Sequence, residues 1–314
     1  MIILGDKYTF TKVEYSRVKK YFKHIIHISY KNASTEENIN RISNALTSNH
    51  KDLIVLNTQA SLSSELITYL TKLEILGIRY ITIENFLENY LQKCLISEEV
   101  SINTSFLEDI HAYTPFQYFQ KRLIDYSASL FLLLPTLLAI IYSKYRIKKE
   151  SPGNLFFIQS RIGLKKNEFL CIKLRSMHIN AEKDGAKFAD GDHDPRTYPW
   201  GKIIRYNKID ELLQLWNVFK GEMHFVGPRP ERKIWTDEFE KSIPYYGQRH
   251  LVAPGITGLA QIKYQYGSGK LDAKEKLMYD LYYIKNWSLK LELTIIWKTL
   301  LFVTTKKRED LSNF

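Results

Sequence analysis

Only two cysteines, Cys94 and Cys171, occur among the 314 residues. Without a paired spacing they support neither a disulfide framework nor a zinc site, and such sparse usage fits a reducing compartment. Glycine is equally sparse in the first third, where Gly5 and Gly77 stand alone before residue 120. No strand there runs into a glycine-rich turn, so the usual cradle for a dinucleotide is missing. Met1 to Asp6 contains no basic stretch leading into a long apolar core, and no secretory signal is read. Acidic residues are also short, with 34 Asp and Glu against 45 Lys and Arg, a formal net charge of +11. Such a surplus calls for an anionic partner: nucleic acid, an anionic membrane surface or a phosphorylated substrate. Nucleic acid is disfavoured as a partner, because the chain has no basic helix, no aromatic RNA-binding strand motif and no zinc spacing.

The length allows two domains, each with its own core. In the first, residues 1–95, apolar runs at Ile2 to Leu4, His24 to Ser29, Leu53 to Leu56 and Tyr80 to Ile83 read as strands. Helical patterns separate them, the clearest from Ser61 to Leu76 with Leu62, Leu66, Leu70 and Leu73 on one face. This alternation predicts an α/β domain with a parallel, Rossmann-like sheet, whose role is read as scaffolding, oligomerisation or regulation. Residues 96–115 have mixed polarity and read as a linker.

Residues 116–150 carry the one long apolar run. Tyr126 to Ser143 holds no charged residue, which is near the lower limit for a spanning helix of about 20 apolar residues. A buried helix of a soluble core is the alternative. Pro135 falls mid-run, where it removes a backbone hydrogen bond and bends a helix. Lys121 and Arg122 precede the run and Lys144, Arg146, Lys148 and Lys149 follow it, so the positive-inside tendency puts both ends on one side. The pattern predicts a proline-broken, re-entrant helix that holds a catalytic domain, residues 151–314, on the cytoplasmic face of the inner membrane. Near the other end, Leu289 to Phe302 is apolar but interrupted by Lys290, Glu292 and Lys298, and Lys306-Lys307-Arg308 follow it. It reads as an interfacial helix, a helix packed on the re-entrant one, or part of the core.

Between them lies Asn207-Lys208-Ile209-Asp210-Glu211-Leu212-Leu213-Gln214-Leu215-Trp216-Asn217-Val218-Phe219-Lys220-Gly221. Its apolar spacing predicts one short amphipathic helix with Asn207 as N-cap and Gly221 just past the end. Two readings of Asp210 and Glu211 stand side by side. They offset the positive end of the helix, Asp210 completing a capping box with Asn207. Or, since adjacent helical positions point about 100° apart, one attacks phosphorus while the other holds a divalent metal. Val226-Gly227-Pro228-Arg229-Pro230 follows, and an arginine between two prolines presents its fork on a stiff backbone suited to phosphate. Together they suggest phosphoryl transfer.

Lys173 and Arg175 alternate along a predicted strand, either as a solvated face or as the lining of an anion site. Asp190-Gly191-Asp192-His193-Asp194 resembles a calcium loop, but the twelfth position from Asp190 is Gly201, where a bidentate glutamate is needed. It also resembles the acids of a soluble, metal-dependent nucleotide-sugar glycosyltransferase, without the apolar strand that should lead into them. It reads as a polar loop. Tyr198-Pro199-Trp200 is a candidate for the membrane interface, where tryptophan is favoured.

Several motifs occur in order: Lys121-Arg122-Leu123-Ile124-Asp125, the proline-bearing apolar run, Gln159-Ser160-Arg161-Ile162-Gly163, Lys173-Leu174-Arg175-Ser176-Met177, Asp194-Pro195-Arg196, Asp210-Glu211-Leu212-Leu213-Gln214, Val226 to Pro230, and Pro254-Gly255-Ile256-Thr257-Gly258-Leu259-Ala260-Gln261. Together, over residues 116 to 308, they resemble the bacterial sugar transferase family, the monotopic polyprenol-phosphate phosphoglycosyl transferases. The resemblance implies transfer of a sugar 1-phosphate from a UDP-sugar to undecaprenyl phosphate with Mg2+, at the first membrane step of surface glycan assembly. It implies Asp210 as the nucleophile, forming a phosphosugar-aspartyl intermediate as UMP leaves, and Glu211 as the magnesium ligand. Arg229 binds phosphate in this reading, with Lys173, Arg175 and Arg205 as further candidates. Pro254, Gly255, Thr257, Gly258 and Gln261 contribute to the nucleotide pocket, Pro135 marks the membrane segment, and a second copy of the chain is a candidate partner in a homodimer. No histidine receives a catalytic role.

Overall fold

Four short segments, the central two wholly apolar, build the sheet of the first unit. They are β1 (Ile2–Leu4), β2 (Ile26–Ile28), β3 (Leu53–Leu56) and β4 (Arg79–Thr82). All pairings are parallel, in the order β2-β1-β3-β4, with Ile2 opposite both Ile26 and Ile54. Every residue of central β1 and β3 is buried, as expected where helices cover a parallel sheet. Those helices start at side-chain caps: α1 (Lys12–Tyr21) at a Thr11–Glu14 capping box, α2 (Thr35–Ala45) at Ser34, and α3 (Ser64–Ile75) at Ser63. The Ser63 cap explains why α3 begins after the expected Ser61. Leu66, Leu70 and Leu73 of α3 pack on Ile2, Leu4 and Ile54. A short α4 (Ile83–Phe86) and a π-helical turn, Leu87–Leu91, close the unit.

A computed structural model describes residues 1–30, 34–46, 53–59, 61–96, 108–183, 185, 194–264 and 269–305. Its two compact units divide after Leu95. Within the expected linker, residues 97–107 lie outside the described ones, as do Asp190, Asp192 and Lys306-Lys307-Arg308.

The second unit opens with α5 (Pro115–Glu150), 36 residues long, started by a Thr114–Gln117 capping box. Contrary to the expected break, α5 continues through Pro135. Proline lacks only its own N–H, so the ladder resumes beyond it, and the Thr136 hydroxyl donates to the Leu132 carbonyl at 2.7 Å. This is the one described helix long and apolar enough to cross a membrane, and only 11% of its apolar window is buried.

Its two ends are anchored in the same unit. Near the start, buried Lys121 donates to Glu292 (2.6 Å) and to the Val226 carbonyl (2.6 Å), and buried Asp125 accepts from the Phe225 N–H (2.7 Å) and pairs with His224 Nδ1 (2.7 Å). Near the finish, Ser143 accepts from Trp200 Nε1 at 3.2 Å and Ile147 joins Leu174, Tyr198, Trp200 and Ile204 in a core cluster. Tyr198 and Trp200 are therefore core residues, not the interfacial pair expected. Their large rings fill the angle between α5 and the hairpin, and Tyr198 donates to the Arg175 carbonyl.

The hairpin is β5 (Phe156–Ile162) against β6 (Glu168–Leu174), antiparallel. Next come α6 (Pro199–Tyr206), a 3-10 helix Ile209–Gln214 and α7 (Leu215–Lys220). The single amphipathic helix expected from Asn207 is thus two pieces. Asn207 closes α6 instead of capping, its side chain donating to the Ile203 carbonyl at 2.8 Å. Lys208, at φ 58°, then turns the chain left-handed into the 3-10 segment. Gly221, at φ 84°, ends α7 as the sequence suggests.

β7 (His224–Val226) pairs in parallel with β8 (Gly255–Thr257). Between and beyond them lie α8 (Lys233–Ser242), a 3-10 turn Tyr246–Leu251, α9 (Leu259–Lys263), α10 (Lys270–Lys285) and α11 (Leu289–Thr305). On α11 the charges Glu292 and Lys298 are buried, whereas Leu293, Trp297 and Leu300 are exposed. Beyond the exposed Lys290 of its first turn, the two charges of the helix face the protein while large apolar residues face out, the reverse of a helix covered by water.

Candidate active site

The 3-10 geometry of Ile209–Gln214 spaces neighbouring side chains about 120° apart, so Asp210 and Glu211 reach different partners. Both are buried, at 8% and 6% exposure. Glu211 Oε1 accepts from Lys173 Nζ at 2.8 Å and from Arg229 Nη2 at 2.8 Å. Burial alone would raise its pKa, but Arg229, Lys173 and Lys208 outweigh that and hold it well below the ordinary range. Among the described residues Asp210 has no such pairing, and its Oδ1 is buried with no hydrogen-bond partner. Burial and the neighbouring Glu211 charge push its pKa up to about 6. One acid is locked ionised between two cations, while the other holds an oxygen that no described residue occupies.

These residues lie on the wall of a cavity of about 1210 Å3. β6 supplies Lys173, α6 supplies Arg205, and the loop after β7 supplies Arg229. Arg205 is half-buried and lines the cavity, and its side chain has no hydrogen-bond partner among the described residues. Arg175 also lines it but is committed elsewhere, donating to Ser151, the Asn154 carbonyl (2.6 Å) and the Met177 carbonyl (3.1 Å). Its guanidinium ties β6 to the end of α5, so Arg175 is a clamp and not the anion binder expected. The alternating pattern cannot separate these cases, because Arg175 lies just beyond the strand end.

The Pro254 to Gln261 segment divides in the same way. Thr257 and Gln261 line the cavity, and Gln261 Oε1 is buried without a partner. Pro254, Gly255 and Gly258 do not line it but pack on the loop that carries Arg229. A Cβ on Gly255 would lie 2.0 Å from the Gly227 nitrogen, and one on Gly258 would lie 2.2 Å from the Gly227 oxygen. Glycine is needed there so that two backbones can touch.

Sequence reasoning passed over several wall residues. Arg161 belongs to a motif noted above without a role, and Arg249 and Lys276 had no local signal. Asp194, an acid of the discounted loop, is 1% exposed and accepts from Arg196 at 2.8 and 2.6 Å, closing a structural turn. The cavity lining also includes apolar side chains, among them Leu132 and Pro135 of α5 and Leu300, Phe302 and Val303 of α11.

Among the described residues no group of three or more His, Cys, Asp or Glu is placed to hold a metal by itself. Magnesium commonly binds through one or two carboxylates and takes its other ligands from phosphates and water. The orphaned Asp210 oxygen and the adjoining Glu211 carboxylate fit that donor set.

A family model described as bacterial sugar transferase matches residues 116–306. Over 195 residues the chain is 43% identical to the UDP-N-acetylgalactosamine-undecaprenyl-phosphate N-acetylgalactosaminephosphotransferase of Aeromonas hydrophila, covering 61% of this chain and 45% of that protein. It is 39% identical over 177 residues to a UDP-glucose:undecaprenyl-phosphate glucose-1-phosphate transferase of Xanthomonas campestris pv. campestris, covering 56% and 36%. With the protein of that same name from Caulobacter vibrioides it shares 37% identity over 183 residues, covering 57% and 68%. The matched stretch spans less than half the length of the first two relatives.

Proposed function

This chain belongs to the bacterial sugar transferase family, and we propose that it transfers a sugar 1-phosphate from a UDP-sugar to undecaprenyl phosphate, starting a surface glycan on its lipid carrier. The observation that carries this reading is Asp210: a buried carboxylate with an unshared oxygen, beside a cation pair already organised by Glu211. Asp210 attacks the phosphorus that bears the sugar. The bond from that phosphorus to the bridging oxygen breaks, and the oxygen leaves with UMP. An oxygen of undecaprenyl phosphate then attacks the same phosphorus, breaking its bond to Asp210 and regenerating the carboxylate.

Arg229 and Lys173 sit where charge on the phosphoryl oxygens must be met, and Arg205 extends the positive wall. Magnesium, when bound, neutralises diphosphate charge; Glu211, with Asp210 beside it, would hold it. Its removal by chelator abolishes turnover in this reading. The apolar part of the cavity lining suits an acceptor that carries its phosphate on a hydrocarbon chain, and the outward apolar faces of α5 and α11 suit a bilayer. Asp125 and Ile147 are about 33 Å apart along an ideal helix, and both pack on one unit. That double anchoring favours a helix whose two ends stay on one side of the bilayer over a full crossing, α5 dipping into one leaflet by a bend at Pro135 that leaves its helical run continuous, with the unit on the cytoplasmic face of the inner membrane.

The test is UMP release in the absence of lipid acceptor. Wild-type protein should release no more than one UMP per chain and Asp210→Asn none; continuous release, or release by the Asn variant, would overturn the covalent route.

A further inference from the structure

The Arg229 loop is held by its carbonyls. Pro228 and Pro230 have no N–H and cannot join a strand ladder, so the backbone needs other partners. Arg249 Nη2 donates to the Arg229 carbonyl at 3.0 Å, Arg161 Nη1 to the Pro230 carbonyl at 3.2 Å, and the Ile162 N–H to the Glu231 carbonyl at 2.9 Å. Three consecutive carbonyls are fixed from outside the loop.

Of the two arginines, Arg249 is the more firmly held. It is 6% exposed, and its guanidinium also donates to Asp280 Oδ2 at 2.9 Å and to the Tyr246 hydroxyl at 2.8 Å. Asp280 is itself 2% exposed on α10. A buried ion pair between a 3-10 turn and a helix therefore ends on the backbone of the residue whose side chain reaches Glu211.

We infer that Arg249, held by Asp280, is a positioning residue for Arg229, aiming its guanidinium at the substrate phosphate through the Arg229 carbonyl. This rests on the proposed function, in which Arg229 meets that phosphate. A shift near 1 Å at a charged clamp is enough to weaken it greatly, and Arg249→Lys keeps the charge opposite Asp280 while losing the fork that reaches three acceptors.

The experiment is a double-mutant cycle on full-length protein in detergent, reading the affinity for UDP with magnesium and the melting temperature. Arg249→Lys should weaken UDP binding about tenfold in the wild-type background and less than twofold when Arg229 is already alanine. Its effect on melting temperature should be the same in both backgrounds. An equal loss of affinity in both would overturn the inference, because Arg249 would then be touching the ligand or supporting the fold independently of Arg229. No loss in either would overturn it as well. If Arg229→Ala alone leaves UDP affinity unchanged, or wild type does not bind UDP, the underlying reading fails and the positioning role with it.

Discussion

Asp210 and Glu211 are adjacent in sequence yet held in opposite electrostatic conditions, and the difference has measurable consequences. Asp210 titrates near 6 in the folded protein, above the ordinary 3.8 of an unfolded aspartate. A raised carboxyl pKa stabilises the fold below the unfolded value, and that stability is lost as pH rises through the folded one. Asp210→Asn should therefore melt higher than wild type at pH 7.5 in the presence of a chelator, with the gap closing as pH falls from 6 towards 4. A gap that does not change with pH would contradict the assignment. Glu211 occupies Arg229 and Lys173 with a single oxygen. Glu211→Gln should free both cations for phosphate, so that UDP binds several-fold tighter than to wild type in chelator, while magnesium no longer improves affinity; titration calorimetry reads both. That Asp210, Glu211 and Arg229 would share one wall was legible because charge in a rigid local context points one way, whereas the strand pattern left Lys173 open. Arg175 and Arg249 were not, because a buried arginine that serves carbonyls has the same sequence signature as one that serves a ligand.

At the scale of elements, α5 and α11 carry the relation to a bilayer. Leu130, Phe131, Leu134, Leu138 and Ile141 of α5 are all more than half exposed, while Glu292 and Lys298 of α11 are buried. Replacing Leu130 and Leu134 with lysine should move the protein from the membrane pellet to the supernatant, since each charge at bilayer depth costs about 3 kcal/mol. Pelleting unchanged from wild type would contradict a buried face. Lys121 and Glu292 join the two helices and are both fully buried. Lys121→Met strands the Glu292 charge and should cost about 3–5 kcal/mol of stability, most of it recovered when Glu292→Gln is added; denaturant unfolding in detergent measures both. The strands of the first unit and the run of α5 were readable from apolar patterning alone. The split of the Asn207 to Gly221 helix was not, because it depends on Lys208 adopting a left-handed conformation that few non-glycine residues take.

For the whole molecule, the formal charge of +11 called for an anionic partner but could not choose one. The proposed choice rests on the cavity, whose lining combines basic residues around two acids with apolar side chains of α5 and α11. The family match starts at residue 116, leaving the parallel-sheet unit outside it. The central claim is that Asp210 carries the sugar phosphate between donor and lipid. Intact-protein mass spectrometry of detergent-purified protein, mixed with a panel of UDP-sugars and magnesium, tests it directly. The account predicts a mass gain of one sugar phosphate on wild type with one or a few donors and no gain on Asp210→Asn. An adduct that persists in the Asn variant, or no adduct on wild type that nevertheless turns over donor with lipid, would contradict it.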